Sequence, residues 1–127
     1  MSEVVLDASA LMAVLREEPG AAALEAVLDA AAISTVNLSE VQAKLVERGT
    51  PAENAWSWLV DLDLEVIDFD APQARIAGDL RPLTRARGLS FADRACLALA
   101  QARAAPALTA DRAWSGLELG IEVRIIR

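Results

Sequence analysis

The chain has 127 residues, 54% of them hydrophobic, which suits one domain able to bury a sizeable core. It has no histidine and a single cysteine, which excludes Ser-His-Asp and Cys-His catalysis, histidine-ligated zinc and any intrachain disulfide. The formal net charge of −7 is awkward for a nucleic-acid enzyme, although two bound divalent cations would offset four of those charges.

Val4-Val5-Leu6 is a compact strand-type run ending at Asp7. A helix is predicted from Ser9 to about Arg16, closed by Pro19-Gly20, and a second from Ala21 to Ala31 with Leu24, Val27 and Leu28 at helical spacing. Ile33-Ser34-Thr35 is a brief strand candidate. Asn37 to Arg48 reads as a helix with Leu38, Val41 and Leu45 on one face and Gly49 as its stop. Pro51, with Thr50 as N-cap, opens a helix to Leu62 whose stripe is Ala55, Trp56, Leu59 and Leu62. Glu65 to Phe69 alternates like a strand, and Pro72 to Leu83 is helical despite Gly78. A basic turn, Arg85-Ala86-Arg87-Gly88, precedes a helix from Ser90 to Ala104. Ala107-Leu108-Thr109 is a strand, Arg112 to Gly116 a short helix and Ile121 to Ile126 a last strand. Such repeated strand–helix units imply one α/β domain, residues 1–127, with a largely parallel, doubly wound sheet and helices on both faces.

Cys96, inside an apolar helical run, reads as a small buried hydrophobe. Met1-Ser2-Glu3 lacks a basic leader region and no apolar run approaches the roughly 20 residues of a membrane span, so a cytoplasmic, membrane-free protein is expected.

Asp7, Glu40, Asp93 and Asp111 stand where apolar segments end or helices begin. In a parallel sheet such positions gather outside the carboxyl ends of the strands. Like charges about 4 Å apart repel by roughly 1 kcal/mol in water and nearer 4 in a protein-like medium. A hard divalent cation relieves that cost, and oxygen-only ligands select magnesium or manganese. Each acid also has a purely structural reading. Asp7 suits an N-cap, a job Ser9 does equally well, and Ser90 to Asp93 fits a capping box. Asn37 to Glu40 resembles another box, and Asp111 suits the cap of the short late helix. Four acids at separate junctions are nevertheless an odd coincidence for capping alone. A metal-dependent site acting on phosphate is the expectation. Arginines concentrate late in the chain, where Arg87, Arg94 and Arg112 are candidate phosphate contacts or simply solvated surface.

Four stretches carry a family likeness: Val5-Leu6-Asp7-Ala8-Ser9-Ala10-Leu11, the helix with Glu40, Gly88-Leu89-Ser90-Phe91-Ala92-Asp93, and Leu108-Thr109-Ala110-Asp111-Arg112-Ala113-Trp114. In order and spacing the chain resembles the PIN-domain ribonucleases, and more narrowly the VapC-type toxins of toxin–antitoxin pairs. Ala8 stands where a threonine is common, and no acid follows Asp111 in the short helix. The resemblance implies a five-stranded parallel sheet, a magnesium- or manganese-dependent endoribonuclease and a cognate antitoxin. Asp7 and Asp93 would be the main metal ligands, Glu40 and Asp111 would complete the pocket, and Ser9 and Thr109 would support it. It also implies a homodimer, and an antitoxin gripped at the helical hairpin from Asn37 to Leu62. Trp56 and Trp58 lie on that hairpin; two indoles in three residues do not both fit one core stripe, so one is expected to pack inward and one to face a partner.

The rival within the same fold is a catalytically inactive PIN-like module that only pairs with an antitoxin-like partner. A receiver domain would want paired acids near the first strand and a late lysine, whereas the only lysine is Lys44. A haloacid-dehalogenase-type phosphatase would want Asp-x-Asp, whereas Asp7-Ala8-Ser9 is present.

Overall fold

The computed structural model describes residues 3–127; Met1 and Ser2, part of the stretch read above for a leader, lie outside the described residues. Five strands form one sheet: β1 (Val4–Leu6), β2 (Ala31–Ser34), β3 (Glu65–Ile67), β4 (Ala107–Thr109) and β5 (Val123–Ile125). The spatial order is β3-β2-β1-β4-β5, and every neighbouring pair is parallel. The connections therefore run outward in one direction from β1 and then return to its other side. The order reverses between β1 and β4, and this switch point is where such sheets open a crevice.

Seven α-helices surround the sheet: α1 (Ala8–Leu15), α2 (Ala21–Glu25), α3 (Thr35–Glu47), α4 (Ala52–Asp61), α5 (Ala71–Asp79), α6 (Arg81–Thr84) and α7 (Phe91–Arg103). Side chains alternate across the strands. Val5, Ala32 and Ala107 turn to one face, where Cys96, Leu97, Leu99 and Ala100 of α7 cover them together with Trp114. Val4, Leu6, Ala31 and Leu108 turn to the other, beneath Ala10 and Val14 of α1 and Leu24 of α2. Ile33 on that side meets Leu11, Leu38, Val41, Ala55 and Leu59 from α1, α3 and α4. Cys96 is fully buried, and desolvation holds its thiol well above the ordinary range, so it stays protonated and inert. Among the described residues no helix is long and apolar enough to cross a membrane.

Several element boundaries differ from the sequence reading, each for a local reason. The predicted helix over Ala21 to Ala31 stops at Glu25; after a 3₁₀ turn at Leu28–Ala30 the alanines Ala31 and Ala32 belong to β2. Small residues serve there because β2 lies between two strands and under α7. The helix over Pro72 to Leu83 is two helices, since Pro82 has no N–H to donate and instead sits in the first turn of α6. Thr50 does not cap α4: Pro51 occupies the cap position and supplies no side-chain bond. Neither Trp56 nor Trp58 packs inward; they are 47% and 48% exposed, because Ala55 and Leu59 already fill the buried stripe of α4.

Gly20 opens α2 with φ +93°, and a Cβ there would press into the backbone carbonyl of Ile126 beside β5. Gly20→Ala is expected to lower the unfolding free energy by about 2–4 kcal/mol, because strain and clash combine. Gly49→Ala, at φ +101° in open space, should cost only the backbone strain of about 1 kcal/mol. Urea denaturation of the two variants checks the difference; equal losses would remove the packing explanation.

Candidate active site

Asp7 follows directly on β1 and is only 3% exposed. It is the N-cap of α1, its Oδ1 accepting from the Ala10 N–H at 2.8 Å. Ser9, within α1, donates its hydroxyl toward the same carboxylate at 2.8–2.9 Å. Thr109 at the end of β4 donates to Asp7 Oδ2 at 2.5 Å, so the carboxylate bridges β1 to β4 across the switch point. The two hydroxyls are themselves held: Ser9 Oγ accepts from the Ala110 N–H at 2.9 Å and Thr109 Oγ1 from the Asp111 N–H at 3.0 Å.

Despite these bonds, burial dominates, and it raises the Asp7 carboxyl from 3.8 to about 6; the nearby Asp93 charge pushes the same way. Asp93 lies in the first turn of α7 within a complete capping box: Ser90 Oγ accepts from the Asp93 N–H at 3.1 Å, and Asp93 Oδ2 accepts from the Ser90 N–H at 2.9 Å. Its carboxyl is also raised, first by burial and then by the charges of Glu40 and Asp111, with the Ser90 hydrogen bonds opposing. All four acids are thus linked through one field, with Asp93 at its hub.

Glu40 is not a capping acid. Ser34 caps α3, three residues before the expected cap Asn37, which puts Glu40 in the helix interior, where Lys44 pairs with its Oε2 at 3.4 Å. Asn37 is not a cap either. Fully buried, it donates its Nδ2 to the Ala92 carbonyl at 2.9 Å and so fastens α3 to the turn of α7 that carries Asp93. Its Oδ1 has no partner among the described residues. The sequence carried a signal for this residue, a polar side chain next to the apolar face of Leu38 and Val41, but its cap-like position obscured it. Asp111 is exposed and caps a 3₁₀ turn, Arg112–Trp114, by accepting from the Ala113 N–H at 2.9 Å. Trp114, wholly buried, anchors that turn to the core.

The arginines divide. Arg87 donates to the carbonyls of Ala113 and Ser115, which ties down the segment after Asp111. Arg94 donates to the Ala77 carbonyl at 2.9 Å and lies over the Phe91 ring. Only Arg112 of the three proposed phosphate contacts has no hydrogen bond or ion pair among the described residues.

Among the described residues, no three acids converge closely enough to chelate one ion as their side chains stand. Asp93, Glu40 and Asp111 are each engaged within their own turn, and Asp7 is engaged by its own turn and by Thr109. The donor chemistry nonetheless fits a hard cation. The set is all oxygen, and Asp93 Oδ1, Glu40 Oε1 and Asp111 Oδ2 accept no bond among the described residues, their partners using the other oxygen. A buried, desolvated Asp7 beside three further acids gains most from a counter-charge.

A parallel sheet with the buried Asp7 carboxylate at its switch point places the chain among the α/β folds that open a crevice at the carboxyl edge. Residues 4–118 match the PIN domain, and the chain belongs to that family. The fold is shared with the DNA-bound VapBC of Salmonella typhimurium, at 19% identity and a TM-score of 0.78 over 100% of each chain. It is shared with VapBC2 of Rickettsia felis bound to a promoter DNA fragment, at 23% identity and a TM-score of 0.75 over 95% of this chain and 96% of that one. Mycobacterium tuberculosis VapC20, described as a sarcin-ricin loop-cleaving toxin, is 17% identical with a TM-score of 0.68 over 94% of this chain and 98% of its own. No curated protein matches the sequence.

The raised Asp7 carboxyl has a consequence for stability. Because the folded protein holds this proton up to about pH 6 and the unfolded chain only to about 3.8, the group favours folding least above pH 6. The cost sets in as pH rises through 4 to 6 and reaches about 3 kcal/mol. Asparagine caps a helix equally well and carries no charge. In chelator, Asp7→Asn is expected to be about 1–3 kcal/mol more stable than the parent at pH 7.5, the gap narrowing by about half at pH 5. Denaturation at the two pH values checks this, and a gap independent of pH would refute the burial argument.

Proposed function

We propose that the chain is a magnesium- or manganese-dependent endoribonuclease that acts as the toxin of a toxin–antitoxin pair. The observation that carries this reading is the buried Asp7 carboxylate at the switch point, in one electrostatic field with Asp93, Glu40 and Asp111. Membership of the PIN family and the shared fold with VapBC assemblies and an RNA-cleaving toxin support it.

Asp7 and Asp93 would hold the ion, with Glu40 and Asp111 completing its surroundings directly or through water. When bound, such an ion polarises the scissile phosphate and lowers the pKa of attacking water, so no histidine is required. The chain's own part is orientation. Thr109 and Ser9 fix both oxygens of Asp7, and the capping box aims Asp93 from a helix start. Asn37 holds the Glu40 helix against that start. Deprotonated Asp7 is the competent form, so activity is expected to rise through about pH 6 in the limit of weak metal binding.

The exposed apolar surface of the α3–α4 hairpin, with Val46, Trp56, Trp58 and Val60, supports an antitoxin contact there. A homodimer and a cytoplasmic location belong to the same reading.

RNA cleavage with magnesium or manganese tests the assignment. Asp7→Asn and Asp93→Asn are each expected to lose about a hundredfold or more in rate. Thr109→Val, which leaves the acids in place but frees Asp7 Oδ2, should lower metal affinity by about 10–100-fold. Cleavage undiminished in both asparagine variants would overturn the assignment. A chain that binds no manganese by calorimetry, cleaves nothing, yet binds the product of the neighbouring short reading frame would be the inactive pairing module.

A further inference from the structure

We propose that the cavity beside the acidic crevice is a separate cationic subsite that holds the phosphodiester backbone of single-stranded RNA. This rests on the ribonuclease reading above and goes further, since it assigns the substrate's path to residues outside the four acids.

The cavity, about 510 Å³, begins at the catalytic edge, where Ser9, Ala110 and Asp111 line it. Its walls carry Arg16, Lys44, Arg48, Arg112 and Arg127 against only Glu18 and Asp111. In a chain of net charge −7 this is a marked local reversal of sign. Two of the cations are already paired, Lys44 with Glu40 and Arg127 with Glu18, each at 3.4 Å. Arg16, Arg48 and Arg112 are exposed, and their side chains make no hydrogen bond or ion pair among the described residues. Three unpaired guanidinium groups repel a metal ion and present forks suited to phosphate oxygens.

The layout matches a strand rather than a single anion. Arg16 is the C-cap of α1, whose N-cap is Asp7, so the wall runs about 12 Å away from the acids along that helix. Arg48 is the C-cap of α3, the helix that carries Glu40. Both cations therefore sit at helix C-termini, where the helix dipole favours positive charge. One ion-binding end and one cationic end, joined by Ser9 and Asp111, form a continuous route for a backbone that must pass the acids to be cut.

Fluorescence anisotropy of a labelled single-stranded oligoribonucleotide, recorded in chelator so that nothing is cleaved, reads the subsite without turnover. The triple variant Arg16→Ala/Arg48→Ala/Arg112→Ala is expected to raise Kd at least tenfold. It should also make the log–log dependence of affinity on salt shallower by about 2, from about 0.7 for each lost single-strand contact. The equal-charge control Arg75→Ala/Arg81→Ala/Arg85→Ala, on the far side of the chain order, should leave both nearly unchanged. An unaltered slope in the first triple, or equal losses in the two triples, would overturn the subsite. Displacement of RNA by poly-glutamate at matched charge concentration would also overturn it and give the wall to an acidic peptide. The two readings fail separately. Groove-dependent binding without cleavage in magnesium or manganese sinks the nuclease alone, and cleavage with an unchanged triple variant sinks the subsite alone.

Discussion

Everything at the carboxyl edge of the sheet depends on one constraint: the Asp7 carboxylate is taken out of water at the end of β1 and answered only by neutral donors. Thr109, Ser9 and the Ala10 N–H fix its orientation, yet they do not offset its desolvation, which is why its carboxyl rises to about 6. Neutral hydrogen bonds compensate a buried charge only in part. A group left in this condition costs stability unless a positive charge arrives. The same geometry therefore lowers stability at neutral pH and would favour a neighbouring cation.

The rest of the fold brings other charges to Asp7 without letting them neutralise it. The sheet order puts the ends of β1 and β4 side by side, so Thr109 reaches Asp7 although 102 residues separate them. The antiparallel run of α7 against the strands starts that helix at the same edge, and its capping box keeps Asp93 there. Asn37 ties α3 to α7 through the Ala92 carbonyl, and this fixes how near Glu40 comes to Asp93. The buried indole of Trp114 holds the turn that presents Asp111. Each acid thus hangs on a different element, and the interactions that hold those elements are neutral. Among the described residues the one salt bridge within the set is Lys44 with Glu40.

The parts of this arrangement legible in the sequence are those whose causes are local. A strand run ending in Asp7 and the four-residue box from Ser90 to Asp93 depend on neighbours in the chain, and they appear where the sequence put them. The start of α3 was obscured because β2 passes into it with no glycine or proline between; Ser34 both ends the strand and caps the helix. That three-residue offset turned Asn37 and Glu40 from apparent caps into a buried clamp and a helix-interior acid. Pro82 carried a readable signal that the regular apolar spacing of its neighbours masked. The bonds from Thr109 to Asp7 and from Asn37 to Ala92 join residues 102 and 55 positions apart, and no local pattern encodes such contacts. The fates of Arg87 and Arg94 are of this kind too, since only the fold shows which carbonyls they meet.

Charge is arranged here by segregation rather than by balance. In a chain with net charge −7 scattered arginines do little to the potential at any one place, because charges act on one another only within about 8–10 Å before salt screens them. Within that distance only the local wall matters. Lys44 sits at the boundary, paired to Glu40 on one side and lining the cationic cavity on the other. One i,i+4 pair thus stands across the border between the acidic and the basic regions.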